Sequence, residues 1–190
     1  SIRSAVEQLS KREVASDDER TLGALIVRES DRLSRLLSEF LDFARVRVTR
    51  REPVDMSAVV RGAARLAAAH PERAHDVSLG IDVPDVALVV DGDEDLLHRA
   101  VFKHTLNALQ AARPGTDVRL IVAAVTQAEL PNGVTFDRGA VAIQVIDQGA
   151  GLPAEVQDRL FEPFTTTKPG GSGLGLAIAH RAVEAHRGVV

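Results

Sequence analysis

The sequence has no cysteine, no tryptophan and no tyrosine. Missing thiols exclude disulfides, thiolate metal sites and cysteine nucleophiles, and they leave the redox compartment undecided. Aromatics make up 3% of the 190 residues, all of them Phe, so the core has to be built from aliphatic side chains. Hydrophobic residues reach 45%, which suffices for one domain or for one domain plus an appendage. Charge of one sign is also scarce. Lys and Arg number 23 against 27 Asp and Glu, a net charge of -4, which excludes a strongly basic nucleic-acid binder as the default. The longest apolar stretches, such as Val86-Ala87-Leu88-Val89-Val90, are strand-sized and far short of the roughly 20 residues that span a bilayer. Both ends read as cut, with Ser1 inside a helix and Val190 at the start of a strand.

What the sequence does have is periodicity. Ile2, Val6 and Leu9 predict the end of a first helix, followed by a polar connection over 13–20. In the next helix Leu22, Ile26, Glu29, Leu33, Leu36, Phe40 and Phe43 are separated by 4, 3, 4, 3, 4 and 3 residues, a heptad seam. Leu25, Leu37, Leu41 and Ala44 widen the stripe on both sides, which suits a bundle better than a two-stranded coil. So wide an apolar surface exceeds what one preceding helix covers. The expectation is a homodimer in which two hairpins make four helices, with Leu22, Ile26, Leu33, Leu36, Phe40 and Phe43 at the interface. A hairpin packed on its own domain is the alternative. Residues 45–51 interleave Arg with Val and Thr and read as a solvated linker rather than a nucleic-acid patch. The boundary falls there, giving a partial helical hairpin over 1–49 and a second domain over 50–190.

In that second domain the periods mix. Asp55 is placed to cap a helix over 55–69, with Val54 stapled against Val59. Val77, Leu79, Ile81 and Val83 alternate as a half-buried strand, 86–90 forms another, and Asp91-Gly92 turns the chain. Asp93 caps a helix over 93–112, strands follow at 117–125 and 140–147, Pro153 opens a short helix, and a last helix lies near 174–186. The order predicts an α/β fold: an N-terminal helical hairpin, then a two-layer sandwich of a mixed sheet with helices on one face.

Four segments carry chemistry. Asn107-Ala108-Leu109-Gln110-Ala111 puts a neutral side-chain carbonyl on a helix, a donor suited to Mg²⁺ bound partly through substrate phosphates. Asp147-Gln148-Gly149-Ala150-Gly151 follows an alternating strand. Its carboxylate can accept from an exocyclic amine, and its glycines let the backbone approach a flat ring; an ordinary turn is the plain alternative. In Phe161-Glu162-Pro163-Phe164-Thr165-Thr166-Thr167-Lys168 the two Phe read as loop anchors, and Lys168 is placed to reach a phosphate. Gly170-Gly171-Ser172-Gly173-Leu174-Gly175-Leu176 runs into a helix, whose free N–H groups make an anion site. It is neither G-x-G-x-x-G nor a P-loop.

In order and spacing these four segments resemble the N, G1, F and G2 boxes of the ATP-binding domain of sensor histidine kinases, within the wider gyrase, heat-shock chaperone and MutL ATPase superfamily. The helix over 28–45 resembles the second helix of that family's dimerisation and phosphotransfer domain, and Pro53-Val54-Asp55 the start of its catalytic domain. The short lid is similar to that of nitrogen-regulation kinases. The resemblance implies ATP and Mg²⁺ as cofactors, with Asn107 on the metal and Lys103 and His104 beside the nucleotide. It implies that Asp147 reads the adenine amine, with Gly149 and Gly151 shaping that wall. Phe161 and Phe164 would seat the lid, and Thr167, Lys168, Gly171, Gly173, Leu174 and Gly175 would surround the phosphates. The implied reaction moves the γ-phosphoryl group of ATP to a histidine, then to an aspartate of a response-regulator receiver domain. The implied setting is cytoplasmic, with no nucleic acid and no direct membrane contact by these residues, although the parent protein is free to be membrane-anchored.

Three departures qualify the resemblance. The acceptor motif is absent, and none of the histidines at 70, 75, 98, 104, 180 and 186 takes its place, so no catalytic residue is assigned and self-phosphorylation is not expected. Lys103 stands where the family usually has a second Asn, four residues before the metal-binding one. The family's sheet also continues past the last helix. Two other readings stay open: a non-catalytic nucleotide-binding dimeric scaffold, or a serine kinase or ATPase of the same superfamily.

Overall fold

The computed structural model describes residue 4 and residues 17–130, 133–168 and 171–190. Apart from Ser4, the helix expected over 1–12 lies outside them. The chain divides into two compact units, Ser1–Arg45 and Val46–Val190. In the first, α1 (Asp17–Ala44) is a continuous 28-residue helix whose first turn holds Asp17, Asp18 and Glu19, the charge sign that a helix N-terminus favours. Leu22, Ile26, Leu33 and Phe40 of the heptad seam are exposed, Leu33 by 65%, while Leu36 and Phe43 are half-buried. The flanking Leu25, Leu37 and Leu41 are exposed as well.

The second unit opens on a strand that the sequence pattern did not reveal. β1 (Glu52–Asp55) pairs antiparallel with β3 (Val89–Gly92), Val54 opposite Val90. Pro53 is tolerated there because a two-stranded ribbon needs fewer N–H donors than a central strand. The strand expected at 86–90 therefore starts later, and Asp91-Gly92 belongs to it instead of turning. Leu88 is held by the neighbouring helix start: its N–H donates to Asp55 Oδ1 at 3.2 Å and its carbonyl accepts from Met56 at 2.9 Å. Asp55 caps α2 (Met56–Ala68) as expected, accepting from the Ser57 N–H at 2.9 Å.

A three-stranded sheet has the order β2-β4-β5. β2 (Val77–Asp82) runs parallel to β4 (Thr116–Val125), and β5 (Ala140–Ile146) runs antiparallel to it, so this sheet is mixed. Along β4 the buried residues are Val118, Leu120 and Val122, a period of two that turns one face toward α2 and α3 (Glu94–Ala111). With few aromatics to fill space, the helices approach on small residues. Ala63, Ala64 and Ala67 of α2 and Ala177, Ala179 and Ala182 of α5 (Gly175–Ala185) are at most 1% exposed. A single-turn α4 (Ala154–Gln157) precedes the 161–168 segment.

The far end of α5 is bolted to the start of α3. His186 Nε2 accepts from the Asp93 N–H at 2.8 Å, and its Nδ1 lies 2.7 Å from the Ala182 carbonyl. A carbonyl only accepts, so Nδ1 carries the hydrogen and the ring is the neutral tautomer that can accept at Nε2. Asp93 in turn caps α3 through the Leu96 N–H. Gly92 makes room for this joint: a Cβ there would meet His186 Cδ2 at 2.7 Å and Leu97 Cδ1 at 2.8 Å. Gly92→Ala is therefore expected to lower stability by about 1–3 kcal/mol through overpacking. Urea unfolding measures this, and an unchanged midpoint would show that the His186 ring can step aside.

Candidate functional site

Helix α3 is the spine of the candidate site. Its buried face, including Leu97, Val101, Thr105, Ala108 and Leu109, fixes its rotation and leaves Lys103, His104, Asn107 and Gln110 half-buried. Three other segments reach this helix at successive points. Near the start of α5, a Cβ at Gly175 would stand 3.8 Å from Lys103 Cδ. In the middle, Lys168 Nζ donates to Asn107 Oδ1 at 2.5 Å and to Gln110 Oε1 at 2.8 Å, with the Asn107 carbonyl at 3.5 Å. At the C-terminal end, Gly149 bridges to Ala112.

The Asp147 turn is built by close approach. Asp147 Oδ1 accepts from the Gly149 N–H at 2.8 Å, and a Cβ at Gly149 would fall 2.6 Å from the Ala111 carbonyl oxygen and 2.8 Å from Asp147 Oδ1. No larger residue fits between the turn and the helix end. Gly151 has φ +76° and faces open space.

On the opposite side, the Phe164 N–H donates to the Gly173 carbonyl at 3.0 Å, and both residues lie in the left-handed region at φ 68°. A Cβ at Gly173 would meet the Phe164 carbonyl carbon at 2.4 Å. Gly171 lies close to this segment too, since its N–H donates to the Lys168 carbonyl at 3.1 Å. Leu174 is fully buried and its N–H donates to Ser172 Oγ at 3.2 Å, fixing the entrance to α5. Thr167 is exposed.

The two Phe residues do different jobs. Phe161 stacks on His180 of α5, ring centroids 4.7 Å apart and planes 15° from parallel. Phe164 is 63% exposed, so its backbone and not its ring ties the segment down, in place of the second aromatic anchor expected from sequence. Gln110 and His180 are the residues that sequence reasoning left out of the site. Gln110 stands three residues after Asn107 and so shares its helix face, a signal that spacing alone carried. His180 gave no such signal, because its partner Phe161 is remote in sequence.

Two titrating groups on this corner, Lys168 and His104, are perturbed in physically informative ways. Burial lowers the Lys168 ammonium below the ordinary lysine value, and the charges of Asp147 and Glu72 pull against that shift. The donor set of Asn107 Oδ1, Gln110 Oε1 and a carbonyl already holds one cation, so neutral oxygen chemistry fitting Mg²⁺ is present. Among the described residues there is no cluster of three His, Cys, Asp or Glu to cage a metal, so an ion here would draw most of its ligands from a bound phosphate.

A glycine-crowded turn, a helix face that holds the Lys168 ammonium and a helix start without a side-chain cap are thus gathered along α3 of an α/β domain. Residues 92–190 match the family described as histidine kinase-, DNA gyrase B-, and HSP90-like ATPase. The chain belongs to this family, and the domain is the ATP-binding domain of a sensor histidine kinase. It is 29% identical over 190 residues to sensor histidine kinase ZraS of Escherichia coli (strain K12), spanning all of this chain and 38% of that protein. It is 32% identical over 178 residues to the sensory histidine kinase/phosphatase NtrB of Rhizobium leguminosarum bv. phaseoli, spanning 92% of this chain and 46% of that one. Among solved structures, a mycobacterial sensor histidine kinase, MprB, superposes with a TM-score of 0.56 at 31% identity, covering 73% of this chain and 81% of its own. The chain thus spans less than half the length of these curated relatives. No helix among the described residues is long and apolar enough to cross a membrane.

His104 supplies a test of the corner's electrostatics. Burial, and then the charge of His180, lower its pKa below the ordinary value of 6.5. The folded chain keeps the neutral ring, so as pH falls below about 6.5 the unfolded chain takes up the proton first. Stability is therefore complete above that value and is lost below it. Thermal midpoints between pH 7 and pH 5 should fall more steeply for the wild-type chain than for His104→Leu. Parallel profiles would show that His104 does not titrate on unfolding.

Proposed function

We propose that the corner binds ATP together with Mg²⁺ and that the parent protein transfers the γ-phosphoryl group to a histidine, for relay to an aspartate of a response-regulator receiver domain. The observation that carries this reading is the convergence on α3 of Lys168, the Gly149 turn and the start of α5. Asp147 would accept from the adenine amine with the carboxylate capacity left beside its Gly149 contact, and Gly149 and Gly151 would let the ring lie against backbone. Asn107 would hold Mg²⁺, which neutralises charge on the transferring group when bound. The backbone N–H groups around Gly173, Leu174 and Gly175 would donate to phosphate oxygens, with Lys103 and Lys168 adding positive charge from either side. Phe161, stacked on His180, would keep the 161–168 segment over the phosphates. The exposed seam of α1 would pair with a second copy of the chain, and in the parent protein such pairing would supply proximity between the acceptor histidine and the nucleotide corner. A cytoplasmic setting fits such a relay.

Calorimetric titration with a non-hydrolysable ATP analogue tests the site. Binding is expected to strengthen with Mg²⁺ and to weaken by at least about tenfold in Asp147→Ala and in Gly149→Ala, with both variants still folded by circular dichroism. An affinity unaffected by either change would move the adenine site elsewhere.

A further inference from the structure

Lys168 and Asn107 are both assigned to the nucleotide, yet here they are assigned to each other. The Lys168 ammonium sits between Asn107 Oδ1 at 2.5 Å and Gln110 Oε1 at 2.8 Å, and the Asn107 carbonyl lies 3.5 Å away. Gln110 is held in the matching orientation, because its Nε2 donates to Glu72 Oε2 at 3.5 Å and so its oxygen faces the lysine. An ammonium only donates, and these oxygens only accept. A divalent ion drawn to Asn107 Oδ1 would need lone pairs that Lys168 is using. The same ammonium, if it meets phosphate, has to leave them.

We propose that Lys168 is a tethered stand-in for the metal. Without nucleotide it occupies the oxygens of Asn107 and Gln110 and latches the 161–168 segment onto α3; when Mg²⁺ and nucleotide arrive together, Asn107 passes to the metal and Lys168 to the phosphates. The inference rests on the nucleotide reading of this corner and adds a regulatory step to it. Gln110 is then a positioning residue that sets how tightly the latch holds. Mg²⁺ alone gives Lys168 no phosphate to move to, so the latch disfavours metal without nucleotide and couples the two ligands.

The chain's lysines are Lys11, Lys103 and Lys168, so one digest resolves the labelling rate of each by an amine-reactive ester. In the free chain, Gln110→Leu removes an acceptor and should speed labelling of Lys168 by about tenfold, the size expected for one hydrogen bond to a charged group. Gln110→Glu offers a carboxylate and should slow it by a similar factor, with Lys11 and Lys103 unchanged in both. Affinity for the ATP analogue with Mg²⁺ should rise in Gln110→Leu and fall in Gln110→Glu, while affinity for adenosine stays constant. Opposite signs are the signature, since damage to the fold would move both variants the same way. Labelling that shifts in the same direction in both variants, or in neither, overturns the latch. A wild-type chain that binds neither adenosine nor the analogue overturns the nucleotide reading and the exchange with it, and labelling still judges the latch because it needs no nucleotide.

Discussion

The rotation of α3 about its own axis is the constraint from which the second unit follows. Leu97, Val101, Ala108 and Leu109 lie in the same core as Val118, Leu120 and Val122 of β4, so the helix has one way to sit on the sheet. Burying that face turns Asn107 and Gln110 toward Lys168 and sets the helix end against Gly149. A rotation by one residue, about 100°, would carry both amides out of reach of the lysine. Aliphatic packing with no functional group of its own thus fixes where the chemistry stands.

The scarcity of aromatics shapes this arrangement. Small residues fill the helix contacts, with Ala63, Ala64 and Ala67 on α2 and Ala177, Ala179 and Ala182 on α5. Close helices leave little room for side chains at their ends, and glycines appear where the backbone is crowded: by the His186 and Leu97 side chains at Gly92, by the backbone at the end of α3 at Gly149, and by the Phe164 backbone at Gly173. These glycines are positioned by steric exclusion as much as by any need of a ligand.

Much of this was legible in the chain of residues because it is local. The Asp55 and Asp93 caps, the alternation of Val77, Leu79 and Ile81 in β2 and the glycine run before α5 all declare themselves within a few positions. The order of the four boxes carried the family. What stayed hidden depends on remote pairing. β1 contains a proline and has only four residues, so it is a strand solely because β3 lies beside it. Phe161 finds His180 across the fold, and Phe164, alike in type and near in sequence, does not serve as a ring anchor. Gln110 was readable as a helix-face neighbour of Asn107, but its lysine comes from 58 positions away.

The left-handed backbone of Phe164 has an energetic meaning of its own. A non-glycine residue held at φ 68° costs on the order of 1–3 kcal/mol, which neighbouring contacts must offset. Here they are the Gly173 carbonyl, the Phe161 stack and the Lys168 contacts. The segment over α3 is therefore loaded like a sprung catch. Once its lysine lets go, relaxation at Phe164 would assist the release, while the far end of α5 stays secured to Asp93 by His186.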